Sequence, residues 1–578
     1  MHWSHLFLLA PSLLSPTYAL LNTWTLKEVG TSGVNAMQLA VFSSEVVVFI
    51  DKLESNPLRT STNEHALGAR YLLETNSVRP LDIKTNSFCA GGGWLSNGTM
   101  VNIGGNPMYE SGGTTKDDGL QGIRLINSCG AEKCEVYENP KDLRLTSPRW
   151  YPSGCRLSDG SLIIMGGDWT NHPSINNPTC EFFPQKNING YNGVPIPVPF
   201  LVDTMPHNMF PHVISLPGDG DQIFMAANNM AMIYNWKTNQ ETRLPNLPNG
   251  QRCTYPYSGT AVLLPLTPAN GYTPEVLICG GSHASNETPD GLSTQTPTSR
   301  QCSRMVLNDE GTAKGWQVET MPVPRTMHSS ILMPNGLILI INGAQTGTAG
   351  YGNVPDQIGQ SNADNPAFQA VIYDPNAPAG QRFSSEGLPT SDIPRMYHST
   401  ASLLPDGCVI IAGSNPNLDV STQKYPTEYR VEKLCPSSNL LDKFRPEITG
   451  LGPMLDYGST MKAVLKIPSG LHARSPTDPL IISVSLMDLG FSTHGVHMDQ
   501  RMVMLDSKMQ MLGNVGELVL DIAAPPNASV YPPGPGFIVV SCNGVPSVMH
   551  KMLIGGGQDP PVDQGAIKNM LAHKPGQS

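Results

Sequence analysis

The sequence predicts an all-β protein of more than one domain, on three observations. Only 14% of the 578 residues are charged, while Gly (56) and Pro (52) are abundant, a composition that favours short strands joined by tight turns. The apolar runs are brief and are punctuated by Asn-Gly, Asp-Gly and Gly-Gly steps, the marks of hairpins. One such pattern recurs along most of the chain, which is too long to close around a single core.

The first element is a secretory leader. "MHWSHLFLLAPSLLSPTYALLN" carries an apolar stretch from Leu6 to Leu14 and small residues around a cleavage point after Ala19, so residues 1–19 are expected to be removed on export. Three Asn-x-Ser/Thr sequons, at Asn97, Asn286 and Asn527, agree with a secreted, extracellular glycoprotein. Association with a cell wall would fit the same reading. No later run approaches the roughly 18 apolar residues of a membrane span. The net charge of -11, without a Lys/Arg cluster, argues against nucleic acid or an anionic membrane as partner.

Residues 20–440 hold the repeat: a strand-like run, a Gly turn, and a β-rich run ending in Gly-Gly or a close relative. It appears as "SFCAGGGWLSNGTMVNIGG" (87–105), "RWYPSGCRLSDGSLIIMGG" (149–167), "PHVISLPGDGDQIFMAANN" (211–229), "RTMHSSILMPNGLILIINGA" (325–344) and "RMYHSTASLLPDGCVIIAGS" (395–414). "YPYSGTAVLLPLTPANGYTPEVLICGG" (255–281) fits with a longer turn, and "SSEVVVFIDK" (43–52) supplies a seventh apolar strand. Seven such units predict a seven-bladed β-propeller of kelch type, each unit one four-stranded blade.

The turn glycines set a register. Cys89 lies nine residues before Gly98, Tyr151 nine before Gly160, His398 nine before Gly407 and His328 eight before Gly336. Side chains at one register of the innermost strands converge near a propeller axis. Cys, Tyr and His gathered there would make a metal or radical site; the other reading is that they plug the channel as packing. Tyr397 stands next to His398. Adjacent side chains of a strand point to opposite faces, so both reach one site only if the backbone bends.

Residues 441–556 change to alternating strands without Gly-Gly endings, enough for one small immunoglobulin-like β-sandwich. Residues 557–578 are left as a C-terminal tail. Between the sandwich strands lies "FSTHGVHMDQR" (491–501), with His494 and His497; it reads either as a surface loop or as a loop reaching into the propeller axis. Of the eleven cysteines, an odd number leaves one unpaired in an exported protein. Cys129 and Cys134 could close a small disulfide loop or be a chance pair, and the remaining connectivity is not readable.

The motifs "SFCAGG", "RWYPSG", "GGDW", "MYHS" and "THGVHMDQR", in this order, resemble those of the copper radical oxidases, the family of galactose oxidase and glyoxal oxidase. The "RWYPS" form, the "NNPTCEFFP" segment and the lack of an N-terminal carbohydrate-binding domain make the chain more similar to the glyoxal oxidase branch. The resemblance implies one copper ion held by Tyr151, His398 and His494, with Tyr397 as a weaker axial ligand. It implies a self-processed thioether between Cys89 and the Tyr151 ring as radical cofactor, which would also use the odd cysteine. Trp169 of "GGDW" matches the place where galactose oxidase stacks an indole over the cross-link, or it is an ordinary packed Trp. His328 and His212 share the axial register without matching a ligand.

The implied reaction oxidises a small aldehyde hydrate, of glyoxal or methylglyoxal type, to a carboxylic acid and reduces O₂ to H₂O₂, with Tyr397 as general base. A primary alcohol is the alternative substrate. The enzyme is expected to be a monomer, and peroxidases that consume its H₂O₂ are the expected partners. A catalytically silent propeller serving as a wall or protein-binding module is the alternative of a different class, although such a module has no need of Cys89, Tyr151, Tyr397, His398 and His494 together.

Overall fold

The computed structural model describes residues 23–127, 129–169, 176–286, 291–440, 445–468, 471, 480–511 and 517–574. The expected leader, residues 1–19, lies outside them. The chain is almost entirely β; its described α-helices are the short Pro199–Asp203, Asp309–Lys314 and Gln564–Ala572.

Among the described residues, seven antiparallel sheets of three or more strands occupy the first three quarters of the chain, with three two-stranded ones beside them. Their leading strands are Gln38–Val41, Gly91–Trp94, Ser153–Arg156, His212–Ser215, Thr260–Leu263, Ser329–Leu332 and Ser399–Leu403. Each turns back through a hairpin, and four of these turns, Asn97-Gly98, Asp159-Gly160, Asn335-Gly336 and Asp406-Gly407, place the glycine at φ between 76° and 84°, where a Cβ is costly. The sheets do not merge. Gly91–Trp94 packs beside Ser153–Arg156, which is followed in turn by the leading strands at 212, 260, 329, 399 and 38.

The apolar runs are continuous, not alternating, because both faces of these strands are buried. In Leu162–Met165, Leu162 and Ile164 pack with Val101 and Ile103 of the preceding sheet, while Ile163 and Met165 pack with Ile223 and Met225 of the following one. Successive side chains thus join one sheet to two neighbours. Each fully buried side chain of this kind contributes about 1.5–3 kcal/mol. The N-terminal strand Trp24–Thr31 completes the last sheet by pairing with Arg430–Pro436, Trp24 opposite Pro436 and Thr31 opposite Arg430.

The C-terminal region forms two sheets. Glu447–Thr449, Thr460–Lys466, Glu517–Ala523 and Ser507–Met511 make one; Met454–Leu455, His550–Ile554, Gly534–Cys542, Ile482–Asp488 and Arg501–Leu505 make the other. Leu465 and Ile522 of the first share a buried cluster with Leu486 and Ile538 of the second. The sheets therefore cover each other's apolar faces. Residues 557–574 are docked: helix Gln564–Ala572 is capped by Asp563 (2.9 Å to the Ala566 amide), and the Arg144 guanidinium donates to the carbonyl oxygens of Met570 (3.2 Å) and His573 (2.6 Å).

The segment around His494 is a hairpin, Phe491–Thr493 with Val496–Met498, and it leaves the C-terminal sheets altogether. It pairs with Gln38–Val41 (Gln38 opposite Thr493, Ala40 opposite Phe491). It touches the leading strand of every one of the seven sheets. The surface-loop reading is thereby excluded.

Cysteine usage departs from the expectation built on the odd count. Cys129–Cys134, Cys279–Cys302 and Cys408–Cys435 are disulfides, and Cys89, Cys155, Cys180, Cys253 and Cys542 are unpaired and buried. Five free thiols mean that the count alone does not single out Cys89. Its position does.

Candidate active site

Cys89, Tyr151, Tyr397, His398 and His494 meet at the end of the leading strands, each no more than 4% exposed. The Tyr151 and Tyr397 hydroxyls are 2.5 Å apart, and His494 Nε2 lies 3.2 Å from Cys89 Sγ. The ligand atoms of Cys89, His398 and His494 lie within 4.8 Å of one another. Ring centroids stand 4.9 Å apart for His398–His494, 5.3 Å for Tyr397–His494 and 5.5 Å for Tyr151–His494.

Backbone strain accompanies this convergence. Cys89 (φ 54°), Tyr151 (61°), His398 (66°) and His494 (51°) all adopt the left-handed conformation, which costs a non-glycine residue roughly 1–2 kcal/mol. The bend at His398 is what lets both neighbours reach the site, and the rings of Tyr397 and His398 stack at 3.9 Å and 30°. Spacing shows how the bend is accommodated. A buried arginine anchors each of three leading strands to its returning strand's end, Arg149 on the Gly166 carbonyl, Arg325 on that of Asn342 and Arg395 on that of Gly413. The arginine precedes the turn glycine by eleven residues in the first two and by twelve in the third. That extra residue lets the last sheet present two side chains where the others present one.

The same geometry corrects the register. Met327 (φ 57°) and Phe210 (φ 50°) are the counterparts of Cys89, Tyr151 and His398. Met327 stands nine residues before Gly336, so His328 lies one position past the site and bonds Thr260 Oγ1 through Nε2 at 3.0 Å. His212 bonds the Cys253 carbonyl at 3.0 Å. Neither joins the ligand cluster. The indole packed on Tyr151 is that of Trp150, T-shaped at 4.6 Å; among the described residues Trp169 makes no ring contact with Tyr151.

Hydrogen bonds fix the imidazole tautomers. His398 Nδ1–H donates to the Asn415 carbonyl (3.0 Å), and Asn415 is in turn held by its amide on Glu54 Oε2 (2.6 Å). The Thr493 hydroxyl spends its proton on the Met37 carbonyl (3.0 Å), so it accepts from His494 Nδ1–H (2.6 Å). Both rings therefore turn an Nε2 lone pair inward, the arrangement of metal-binding histidines. Burial holds His494 down to about 3, and burial followed by the His494 charge holds His398 well below its usual value; both are neutral at pH 7, as ligands must be. Burial also pushes the Tyr151 and Tyr397 hydroxyls well above their usual range.

The buried His398 Nε2 has no hydrogen-bond partner among the described residues. An orphaned lone pair of this kind, beside a second imidazole and two phenols, fits a tetragonal copper ion with nitrogen and oxygen ligands. Above the phenols opens a cavity of about 140 Å³ walled by Phe88, Trp150, Met209, Tyr255 and Tyr351.

The family description "Glyoxal oxidase N-terminus" matches residues 51–438, and "Galactose oxidase-like, Early set domain" matches residues 445–552. The chain belongs to the glyoxal oxidase family. As a member of this branch of the copper radical oxidases it is a copper-dependent oxidase. It is 31% identical over 550 residues to the aldehyde oxidase GLOX of Vitis pseudoreticulata, covering 91% of this chain and 96% of that protein. With the aldehyde oxidase GLOX1 of Arabidopsis thaliana it shares 33% identity over 493 residues, 82% of this chain and 72% of that protein. The fold of this glyoxal oxidase family member is also that of a copper-bound fungal alcohol oxidase of the AA5 family, with a TM-score of 0.66 at 16% identity over 92% of this chain and 99% of the other.

Phe88, Trp150, Tyr255, Tyr351, Asn415 and Thr493 escaped the sequence reading. Phe88, Trp150 and Thr493 had a signal, each directly preceding a site residue in "SFCAGG", "RWYPSG" and "THGVHMDQR". The other three carry none.

Proposed function

We propose that this protein is a secreted copper radical oxidase that converts small aldehydes to carboxylic acids, RCH(OH)₂ + O₂ giving RCOOH + H₂O₂. The seven sheets serve as the blades of a kelch-type propeller, with the His494 hairpin on its axis. The observation that carries the reading is the meeting of two inward Nε2 lone pairs, two phenol oxygens and one thiol at a single buried point.

His398 and His494 would hold the metal, with Tyr151 beside them and Tyr397 as the weaker ligand. Copper, when bound, supplies one of the two electron-accepting centres and a Lewis acid for the substrate hydroxyl. The protein supplies the other centre. Cys89 and Tyr151 form a thioether, losing two hydrogens to O₂, and O₂ likewise takes one further electron and the phenol proton to leave the radical. Tyr397 takes the substrate hydroxyl proton as general base. The Tyr151 oxygen then takes the hydrogen atom from the substrate carbon. Aromatic walls keep water from the radical. The enzyme acts as an exported monomer whose H₂O₂ is available to peroxidases.

A peroxide-coupled assay of the copper-loaded, oxidised protein tests this. Turnover of aldehydes above that of the matching primary alcohols supports the reading; alcohols turned over faster makes it an alcohol oxidase, and no H₂O₂ from either overturns it.

A further inference from the structure

Among the described residues, Met209 is the one sulfur-bearing side chain that lines the cavity over Tyr151 and Tyr397. It is only 2% exposed to bulk solvent, yet it stands where the proposed reaction releases H₂O₂. A backbone bridge pairs Met209 with Tyr255, whose ring lies 4.8 Å from that of Tyr151. Its chain neighbour Phe210 packs on both Tyr151 (4.9 Å) and His494 (4.7 Å). Other methionines are placed differently. Met327 and Met396 share a buried cluster with Tyr397 but lie outside the cavity lining. Met498 Sδ already accepts from the amides of Gly92 and Gly154, each at 3.4 Å. Met108, Met454 and Met509 are 66%, 54% and 55% exposed and meet peroxide only in bulk solution.

A thioether takes one oxygen from H₂O₂: the S–O bond forms, the O–O bond breaks and water leaves, with sulfur oxidised by two electrons and the peroxide reduced by two. One H₂O₂ molecule confined to about 140 Å³ has a local concentration on the order of 10 M, far above any level it reaches outside. Escape ends each exposure, so oxidation accumulates with turnovers and not with time. Burial shields Met209 from peroxide outside the protein but not from peroxide made within it. The sulfoxide replaces a flexible apolar side chain by a polar one, and its oxygen takes up space beside the two phenols.

We propose that Met209 is a self-oxidation site: H₂O₂ formed over Tyr151 and Tyr397 converts it to the sulfoxide, and this modification limits the number of turnovers the enzyme completes. The site rests on the oxidase reading above, which supplies the oxidant.

The test runs the copper-loaded, oxidised enzyme on an aldehyde with excess catalase, counts turnovers by O₂ uptake, and follows the methionines by peptide mass spectrometry. Catalase removes only peroxide that has left the protein. Met209 should therefore gain one oxygen atom in step with turnovers and with loss of activity, while Met108, Met454 and Met509 stay at least about ten-fold less oxidised. Resting enzyme given H₂O₂ without substrate or catalase should show the opposite order. Met209→Leu, a swap that conserves volume, should complete about three-fold more turnovers than the parent before losing half of its own initial rate. Met209 intact at half-inactivation, oxidised first in the resting enzyme as well, or protected by catalase as fully as the exposed methionines overturns the site and leaves the oxidase standing. So does an unchanged turnover count in Met209→Leu. No H₂O₂ from any substrate, measured without catalase, removes the oxidant and overturns the oxidase reading along with the site.

Discussion

The Tyr151 and Tyr397 hydroxyl oxygens, 246 residues apart in sequence, stand 2.5 Å apart in a buried site. At that distance one must donate and the other accept, and the accepting oxygen keeps lone pairs that only a cation or a proton donor satisfies. In the proposed reaction these two phenols divide the work, Tyr151 as hydrogen-atom acceptor and Tyr397 as proton acceptor.

Removing one oxygen should separate those roles. Tyr397→Phe is expected to retain bound copper and to form the Cys89–Tyr151 link, yet to lose turnover by a factor on the order of 10² to 10⁴, the usual worth of a positioned base. His398→Ala should lose copper and the link together. Metal analysis, peptide mass mapping and peroxide release on both variants check this, and near-normal turnover of Tyr397→Phe would assign the proton to another group.

Thr493 should matter to the metal through His494. Thr493→Val removes the acceptor for His494 Nδ1–H, so copper affinity measured by chelator competition should fall about 10- to 100-fold, the usual effect of losing a partner behind a metal-bound imidazole. Unchanged affinity would mean that the hairpin backbone orients the ring unaided.

The two indoles should behave differently. Trp150 packs on Tyr151 and lines the cavity, so Trp150→Ala should lower kcat/KM by about ten-fold or more and alter the optical spectrum of the oxidised radical. Trp169→Phe should leave both within about two-fold of the parent. The reverse ranking would restore Trp169 to the position over the cross-link.

Acid stability should report the two histidines outside the ligand cluster. Burial pushes His212 down to about 4 and His328 to about 3, from an ordinary imidazole value of about 6.5. The fold holds both neutral, so their contribution to stability is whole above pH 6.5 and is lost as pH falls towards 4 and 3. In that window each changes stability by about 1.4 kcal/mol per pH unit. Tm measured between pH 7 and 4.5 should fall less steeply in His328→Gln than in the parent; parallel curves would show that His328 does not titrate in this way.

Much of this was legible in the chain because turn glycines leave a mark that side-chain packing does not. Gly98, Gly160, Gly336 and Gly407 occupy backbone that disfavours other residues, and counting back from them led to Cys89, Tyr151 and His398. The same count erred by one at His328, where Met327 holds the strained position. Asn415 was invisible, since a backbone carbonyl that orients an imidazole looks like any other, and Thr493, although it stands directly before His494, gave no sign that its hydroxyl orients the ring. The pairing of Gln38 with Thr493 spans the molecule, and local pattern carries no record of such a contact. Trp169 attracted notice through its motif, whereas the indole that packs on Tyr151 is that of its direct neighbour, Trp150.

The most direct test of the centre is peptide mass spectrometry of the metal-free protein before and after copper and O₂. A loss of two hydrogens, found in a linked peptide pair containing Cys89 and Tyr151 and absent from Cys89→Ala, is the expected result. Cys89 recovered after copper and O₂ as a free thiol, which would leave a thiolate-and-imidazole metal site, or in a disulfide with one of the four other unpaired cysteines, would contradict a radical centre at Tyr151.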